Sequence, residues 1–477
     1  MQLKSIHFKH TGHFADLKIH FDTAHKPITL IIGDQASGKT TLLKHIYQAL
    51  TWYPARLKDL RGVGVFMLDQ DIMMQRLQSK VEVCVRIPND IGQRPSAHNT
   101  EQNEHTPNTE DLSHCTWQLY KTLNARGIGI PTAETQQLEQ LIKLYQHAQH
   151  HDPLQGLPML AYYPAERFIN EMNLLSKNNP ATFQSASAYD LAPIPFSTFA
   201  RFFEWLREIS DAENAKTAHL LHRFIAERLT QDPDAEFNQY LKNELIHRHT
   251  ELHAPCLQAL KQSLHTIIPD LSDFYLQYQP KLQLMVTYKG QTMQYQQLSN
   301  TVKNWIALVG DIVRRLCILN PLSLYPCAEG DGILLIDSID AHFDQHISQV
   351  ILERLHHAFP RLQIIATGNR LELLEQAQYY QCYKLDQQQL KPINLEHNWQ
   401  TFEGIYQSLL PLTASAISDC SAQTSQKFSE TQLENQSIEG LFQQLQQLSP
   451  DQKKQFLSLV AQHNDPSSSS KSSSKKD

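Results

Sequence analysis

The segment Gly33-Asp34-Gln35-Ala36-Ser37-Gly38-Lys39-Thr40 has the residue types and spacing that hold a triphosphate. In such a loop the backbone N–H groups and the start of a helix face the phosphates. Lys39 reaches the β and γ oxygens, and the Thr40 hydroxyl is offered to Mg²⁺. Gly33, Gln35, Ala36, Ser37, Gly38, Lys39, Thr40 and Thr41 are therefore the candidate nucleotide contacts. The same chemistry needs a carboxylate at the end of a buried strand to hold the metal. Asp337, directly after Ile333-Leu334-Leu335-Ile336, meets that need. The two together imply ATP or GTP, with Mg²⁺, as ligands.

A phosphate loop must be presented by a strand and continued by a helix. The apolar run at residues 28–32 supplies the strand, and Leu42, Leu43, Ile46, Tyr47 and Leu50 recur at helical spacing behind the loop. Upstream, Leu3, Ile6 and Phe8, then Phe14, Leu17, Ile19 and Phe21, sit near period two around a polar break at residues 10–13, which predicts a hairpin. Residues 81–87 and 115–120 read as further strands of this N-terminal β lobe, joined by a polar connector at 88–113 that is expected to be mobile. A helix is expected over 136–150 and a buried strand over 157–163. Residues 196–268 are mostly helical in pattern without long heptads, which favours a helical subdomain over a coiled-coil arm.

The second half of the site follows that insertion. Residues 274–287 and 292–297 flank Lys289-Gly290 as a hairpin, and a long helix is expected over 302–319. Two short apolar strands, 333–336 and 362–366, are separated by a helix over 345–358, the pattern of a buried parallel sheet. The expected fold class is α/β: a P-loop head with an N-terminal β lobe, an inserted helical subdomain and a small helical C-terminal region. The boundaries read as 1–195 and 271–390 for the two parts of the head, 196–270 for the insertion, 391–466 for the helical C-terminal region and 467–477 for a disordered tail.

Composition narrows the setting. The chain has 477 residues, enough for a sizeable core, and a formal net charge of −7 gives no global electrostatic reason to expect a nucleic-acid coat protein. Seven cysteines are scattered with no C-x-x-C pair, as reduced thiols would be. No signal-peptide core opens the sequence and no apolar stretch approaches the ~18 to 20 residues that span a bilayer, so a soluble, cytoplasmic protein away from the membrane is expected.

Five separated blocks resemble the ABC-type ATPase heads of the SMC/RecF-like superfamily, within the bacterial group of single-chain ATPases that includes overcoming-lysogenization and Septu-type anti-phage ATPases. They are Ile32 to Thr41; Ala161-Tyr162-Tyr163-Pro164-Ala165-Glu166-Arg167; Ser187-Ala188-Tyr189-Asp190 with Phe202-Phe203-Glu204-Trp205; Leu298 to Arg315; and Gly332 to His342 with Gln363 to Leu374. The resemblance implies two subunits packed face to face around two ATPs, each site completed by a Leu-Ser-x-Gly loop of the other subunit. Here that loop reads Leu298-Ser299-Asn300-Thr301: the serine stays and the glycine does not. Ser299 can cap the helix or reach a γ-phosphate, and Thr301 puts a Cβ where backbone must approach phosphate.

The resemblance also implies an Asp-Glu-Ile-Asp motif whose Glu readies the attacking water, and a switch histidine after the following strand. This chain has Asp337-Ser338-Ile339-Asp340 and Asn369 instead. Ser338 is no base near neutral pH, and loss of general-base help costs about 10² to 10⁴ in rate. Asn369 can bond a γ-phosphate but cannot accept a proton. Asp337, Ser338 and Asn369 are thus the catalytic positions, Thr40, Asp337 and Gln70 the metal neighbours, and Ser299 a further nucleotide contact. Slow or lost turnover is expected, with Asp340 as the alternative base. The implied partners are ATP, a second copy or a related ATPase, DNA and a separate effector protein.

Other signals are weaker. His247, His249, His253 and Cys256 have helix-like spacing that suits Zn²⁺, and Asp69-Gln70-Asp71 has the carboxylate spacing of some metal-dependent nucleases, but chance clustering and loop carboxylates explain both. Arg56, Lys58, Arg61 and Arg167 are candidate contacts to nucleotide or DNA. Arg314 and Arg315 are expected to pair with carboxylates, and Phe202, Phe203 and Trp205 to be core.

Overall fold

The computed structural model describes residues 1–95, 112–166, 185–189, 200–228, 255–341, 345–375 and 377–393. The chain opens on the expected hairpin, β1 (Gln2–Thr11) and β2 (Phe14–His20). Ile6, Phe8, Phe14, Leu17 and Ile19 turn inward, and His10 and Gly12 reverse the chain with φ 50° and 58°. Next come β3 (Ile28–Ile32), α1 (Lys39–Leu50) and α2 (Trp52–Lys58). Strands β4 (Gln78–Arg86), β5 (His114–Leu123) and β6 (Gly129–Glu134) then join the hairpin in an antiparallel sheet of order β2-β1-β4-β5-β6.

Helix α3 (Gln136–His151) buries Leu138, Leu141, Ile142 and Tyr145 and leads to β7 (Met159–Tyr163). Helices α4 (Ala200–Arg228) and α5 (Pro255–Ile267) are the described part of the insertion. The anticipated hairpin around Lys289-Gly290 is present as β9 (Gln283–Tyr288) and β10 (Gln291–Gln294), and β8 (Leu271–Gln277) extends it to a three-stranded meander. The run read as one strand turns back on itself between Gln277 and Gln283, and its two halves pair antiparallel from Leu271 with Tyr288 to Gln277 with Gln283.

Helix α6 (Asn300–Leu319) is followed by β11 (Gly332–Ile336), α7 (Gln345–Ala358), β12 (Leu362–Gly368), β13 (Tyr380–Asp386) and β14 (Gln389–Pro392). The second sheet has the order β14-β13-β3-β12-β11-β7, parallel throughout except for β14. Strands β3, β11 and β12 are buried at every residue, as a parallel sheet covered on both faces requires. This is the topology of a parallel P-loop sheet with an antiparallel β lobe beside it.

Polar contacts fasten the β lobe to the parallel sheet and its first helix. The buried Gln363 amide on β12 accepts from the Leu3 N–H at 2.7 Å and donates to the Leu3 carbonyl at 3.0 Å, so one side chain stands in for a missing strand partner of β1. Trp117 on β5 donates to the Ala49 carbonyl near the end of α1 at 3.0 Å, which pins the helix under the lobe. As expected, Phe202, Phe203 and Trp205 are core, and Gly310 on α6 lets Phe202 approach its backbone. The region expected to be helical begins at 391 with the end of strand β14, and its residues 394–466, the tail and the histidines at 247, 249 and 253 lie outside the described residues. Among the described residues no helix is long and apolar enough to cross a membrane.

Candidate nucleotide site

Strand β3 ends at Gly33, where only glycine fits. A Cβ there would stand 2.6 Å from the Leu385 carbonyl oxygen and 2.9 Å from Ser37 Oγ. The loop then climbs through exposed Asp34, Gln35 and Ala36 and returns to the helix through two left-handed residues, Ala36 at φ 62° and Gly38 at φ 101°. Alternating right- and left-handed backbone turns successive N–H groups toward one point, which makes a concave anion cradle at the start of α1.

Lys39 is folded onto that loop. Its ammonium donates to the Gly33 carbonyl at 2.6 Å, the Asp34 carbonyl at 2.7 Å and Ser37 Oγ at 3.3 Å. Burial pushes the Lys39 pKa below its usual value, while the nearby carboxylates of Asp337, Asp34 and Asp340 pull the other way. Lys39 and Asp337, the candidate metal-holding carboxylate, almost 300 residues apart in sequence, therefore feel one another across the end of the sheet. The donor set, a cationic lysine, exposed Thr40 and a strand-end carboxylate, fits a nucleotide with a divalent metal.

Asp337 is fully buried at the end of β11. Thr367 on β12 donates its hydroxyl to Asp337 Oδ1 at 2.6 Å and accepts the Ser338 N–H at 2.8 Å. Ser338 itself is half-buried at φ 46°. Asp340, 5 % exposed, accepts the N–H groups of Asn369 at 2.9 Å and Arg370 at 2.7 Å through Oδ2. It holds the turn after β12 and leaves the Asn369 residue exposed beside the site. Sequence reasoning overlooked Thr367. A small hydroxyl residue at the end of a neighbouring parallel strand was the available signal.

Gln70 is exposed in the turn Asp69–Asp71. The Asp71 carbonyl accepts the Gly12 N–H, and a Cβ on Gly12 would meet Thr41 Cγ2 at 3.5 Å, so the turn stands beside the first turn of α1. The two flanking carboxylates have structural duties: Asp69 pairs with Lys121 at 2.8 Å and accepts the Gly129 N–H, while Asp71 accepts the Leu68 N–H at 2.7 Å. Ser299 is exposed at the start of α6 and caps it, accepting the Val302 N–H at 3.4 Å. Arg56 lies over Trp52 and donates to Thr135, away from the P-loop in its bonding. Arg314 and Arg315 both pair with buried Asp311, and Arg167 lies outside the described residues.

A family model described as "AAA domain" matches residues 5–272, more than half of the chain. The chain belongs to the AAA domain family. Among the relatives of this AAA-domain protein is the "Retron Vc95 probable ATPase" of Vibrio cholerae serotype O1 biovar El Tor, 27% identical over 366 residues that cover 73% of this chain and 66% of that one. The "Retron Ec83 probable ATPase" of Escherichia coli is 24% identical over 422 residues, 82% of this chain and 71% of that one. The match thus spans just under two thirds of the first relative. Solved structures that resemble it include an SMC head bound to the C-terminal winged-helix domain of ScpA, at 11% identity and TM-score 0.43 over 84% of this chain and all of that one. The SMC head domain from Thermotoga maritima follows at 11% identity and TM-score 0.38, over 83% of this chain and all of that one.

Proposed function

We propose that this AAA-domain ATPase binds ATP·Mg²⁺ between the Gly33–Lys39 loop and Asp337, dimerises around the nucleotide, and turns it over slowly or not at all. The observation that carries this reading is the division of the site into two halves. The holding half, Lys39, Thr40 and Asp337, is complete, whereas the position next to Asp337 that should carry a base is Ser338, at φ 46°. The alternative base, Asp340, already uses one oxygen to accept two backbone N–H groups, which favours a bracing role for it. ATP then serves as a structural ligand or a slowly reset switch, with Ser299 offered to the nucleotide of the partner subunit.

The names of the two relatives support a retron setting, and the resemblance to anti-phage ATPases adds the proposal of a defence role, with a separate effector protein as the partner whose state follows nucleotide occupancy. Titration of wild type and Lys39→Ala with ATP·Mg²⁺, with size and phosphate release followed in parallel, tests the reading. It expects Lys39-dependent binding and a shift to dimer without brisk phosphate release. Failure to bind nucleotide, or vigorous Lys39-dependent hydrolysis, refutes it.

A further inference from the structure

Tyr163 ends β7 and touches both halves of the machinery with two different groups. Its backbone carbonyl accepts the Asp337 N–H at 2.9 Å, in a register that pairs Tyr163 with Ile336, the last residue of β11. Its phenol donates to Asp311 Oδ2 on α6 at 2.8 Å. Asp311 is fully buried and also accepts Arg314 Nε at 2.9 Å through Oδ1 and Arg315 Nε at 2.8 Å through Oδ2. Burial would raise the Asp311 carboxyl, but the Arg315 and Arg314 guanidiniums override it and hold the group below the usual carboxylate range. The cluster is therefore an ionised unit, bonded to the sheet through one hydroxyl.

Buried charge clusters of this kind are weak sources of net stability, because desolvation offsets most of the attraction; their best attested use is to fix register. Here the register fixed is that of α6, the helix whose N-cap is Ser299. A turn of α6 about its axis by one residue would carry Asp311 away from the Tyr163 phenol. The neighbouring Tyr162 ring also packs against Tyr47 of α1 at 5.2 Å between centroids, so the 162–163 pair meets the P-loop helix, the metal-holding strand and the signature helix.

We propose that Tyr163 is a positioning residue that couples the Asp337 end of β11 to α6, so that nucleotide at the P-loop sets the placement of Ser299. The inference rests on the ATP-binding reading above. A metal held at Asp337 would pull on the end of β11, and the Asp337 N–H bond to Tyr163 and the Tyr163 phenol would carry that pull to the helix.

Tyr163→Phe is the suitable perturbation, since it removes one hydroxyl and leaves Asp311 with both arginines. Hydrogen–deuterium exchange of the full-length protein, with and without ATP·Mg²⁺, reads the coupling in monomer and dimer alike. In wild type, nucleotide should slow exchange in the peptide 33–43 and, by about fivefold or more, in the peptide 302–309. In Tyr163→Phe the first response should persist and the second should vanish. A merely structural hydroxyl would raise nucleotide-free exchange in 302–309 yet leave its response to ATP intact, and that result overturns the proposal, as does a wild-type 302–309 peptide indifferent to nucleotide. Absence of protection in 33–43 of wild type sinks the ATP-binding reading first, and the coupling with it.

Discussion

Replacing Ser338 by Glu restores a carboxylate beside Asp337 and should accelerate phosphate release. A positioned general base contributes about 10² to 10⁴ in rate, which is about 3 to 5 kcal/mol of barrier at 1.36 kcal/mol per tenfold. The backbone at this position is left-handed, φ 46°, a conformation that costs a residue with a Cβ about 1 to 2 kcal/mol; serine already bears that cost, so the exchange adds little of it. The new cost is electrostatic. A third carboxylate near buried Asp337 and Asp340, at about 6 Å from a neighbour and an effective dielectric of about 20, meets about 3 kcal/mol of repulsion. Mg²⁺ reverses that sign. The variant should therefore melt below wild type when nucleotide-free, regain most of the difference with ATP·Mg²⁺, and release phosphate at least about 100-fold faster under saturating ATP. Phosphate release and thermal melting on wild type, Ser338→Glu and Ser338→Glu/Lys39→Ala make the assay. Equal turnover in the first two, with both shown to bind ATP, refutes the argument that a missing base limits this site.

Asp340→Asn keeps an oxygen to accept the Asn369 and Arg370 N–H groups, so any residual turnover should stay within about threefold of wild type; a fall of about 100-fold would make Asp340 the base after all. Gly310→Ala would place a Cβ 2.2 Å from Phe202 Cε2, and such overpacking should lower the urea midpoint by the equivalent of about 1 to 3 kcal/mol. Burial lowers the pKa of His45, on the P-loop helix, below 6.5, so the unfolded chain takes up the proton first as pH falls. Its contribution is intact above 6.5 and is lost as the pH drops through the folded value; His45→Leu should flatten the loss of stability seen between pH 7 and pH 5 in denaturant titrations.

The parts of the head that were legible in the sequence are those whose signal is local. An unbroken apolar run such as 332–336 can only be a covered strand or a short buried helix segment, and the P-loop between a strand and a helix decides its own context. Strand β6 escaped notice because its residues, Gly129-Ile130-Pro131-Thr132-Ala133-Glu134, are those of an exposed sheet edge, where little is buried and proline is tolerated. Strand β13 buries Tyr380, Cys382 and Leu385 among more polar residues without a clean period of two and so gave no strand signal, yet it lies against β3 and its Leu385 carbonyl closes over Gly33. Within the candidate site, the residues proposed to bind were readable and those bonded around them were not. Thr367 and Tyr163 act only because parallel crossovers bring β12 and β7 to either side of β11, and no spacing along the chain encodes that neighbourhood.

The folded-back Lys39 side chain bears on which anions the proposed nucleotide site would favour. Its ammonium is already satisfied by two carbonyls and a hydroxyl, so a newcomer must replace several good bonds in one event. A lone sulfate or orthophosphate brings a single tetrahedral cluster of oxygens and gains little by the exchange. A polyphosphate chain can engage the loop amides with one group while another draws the lysine out, which makes discrimination a matter of denticity more than of total charge.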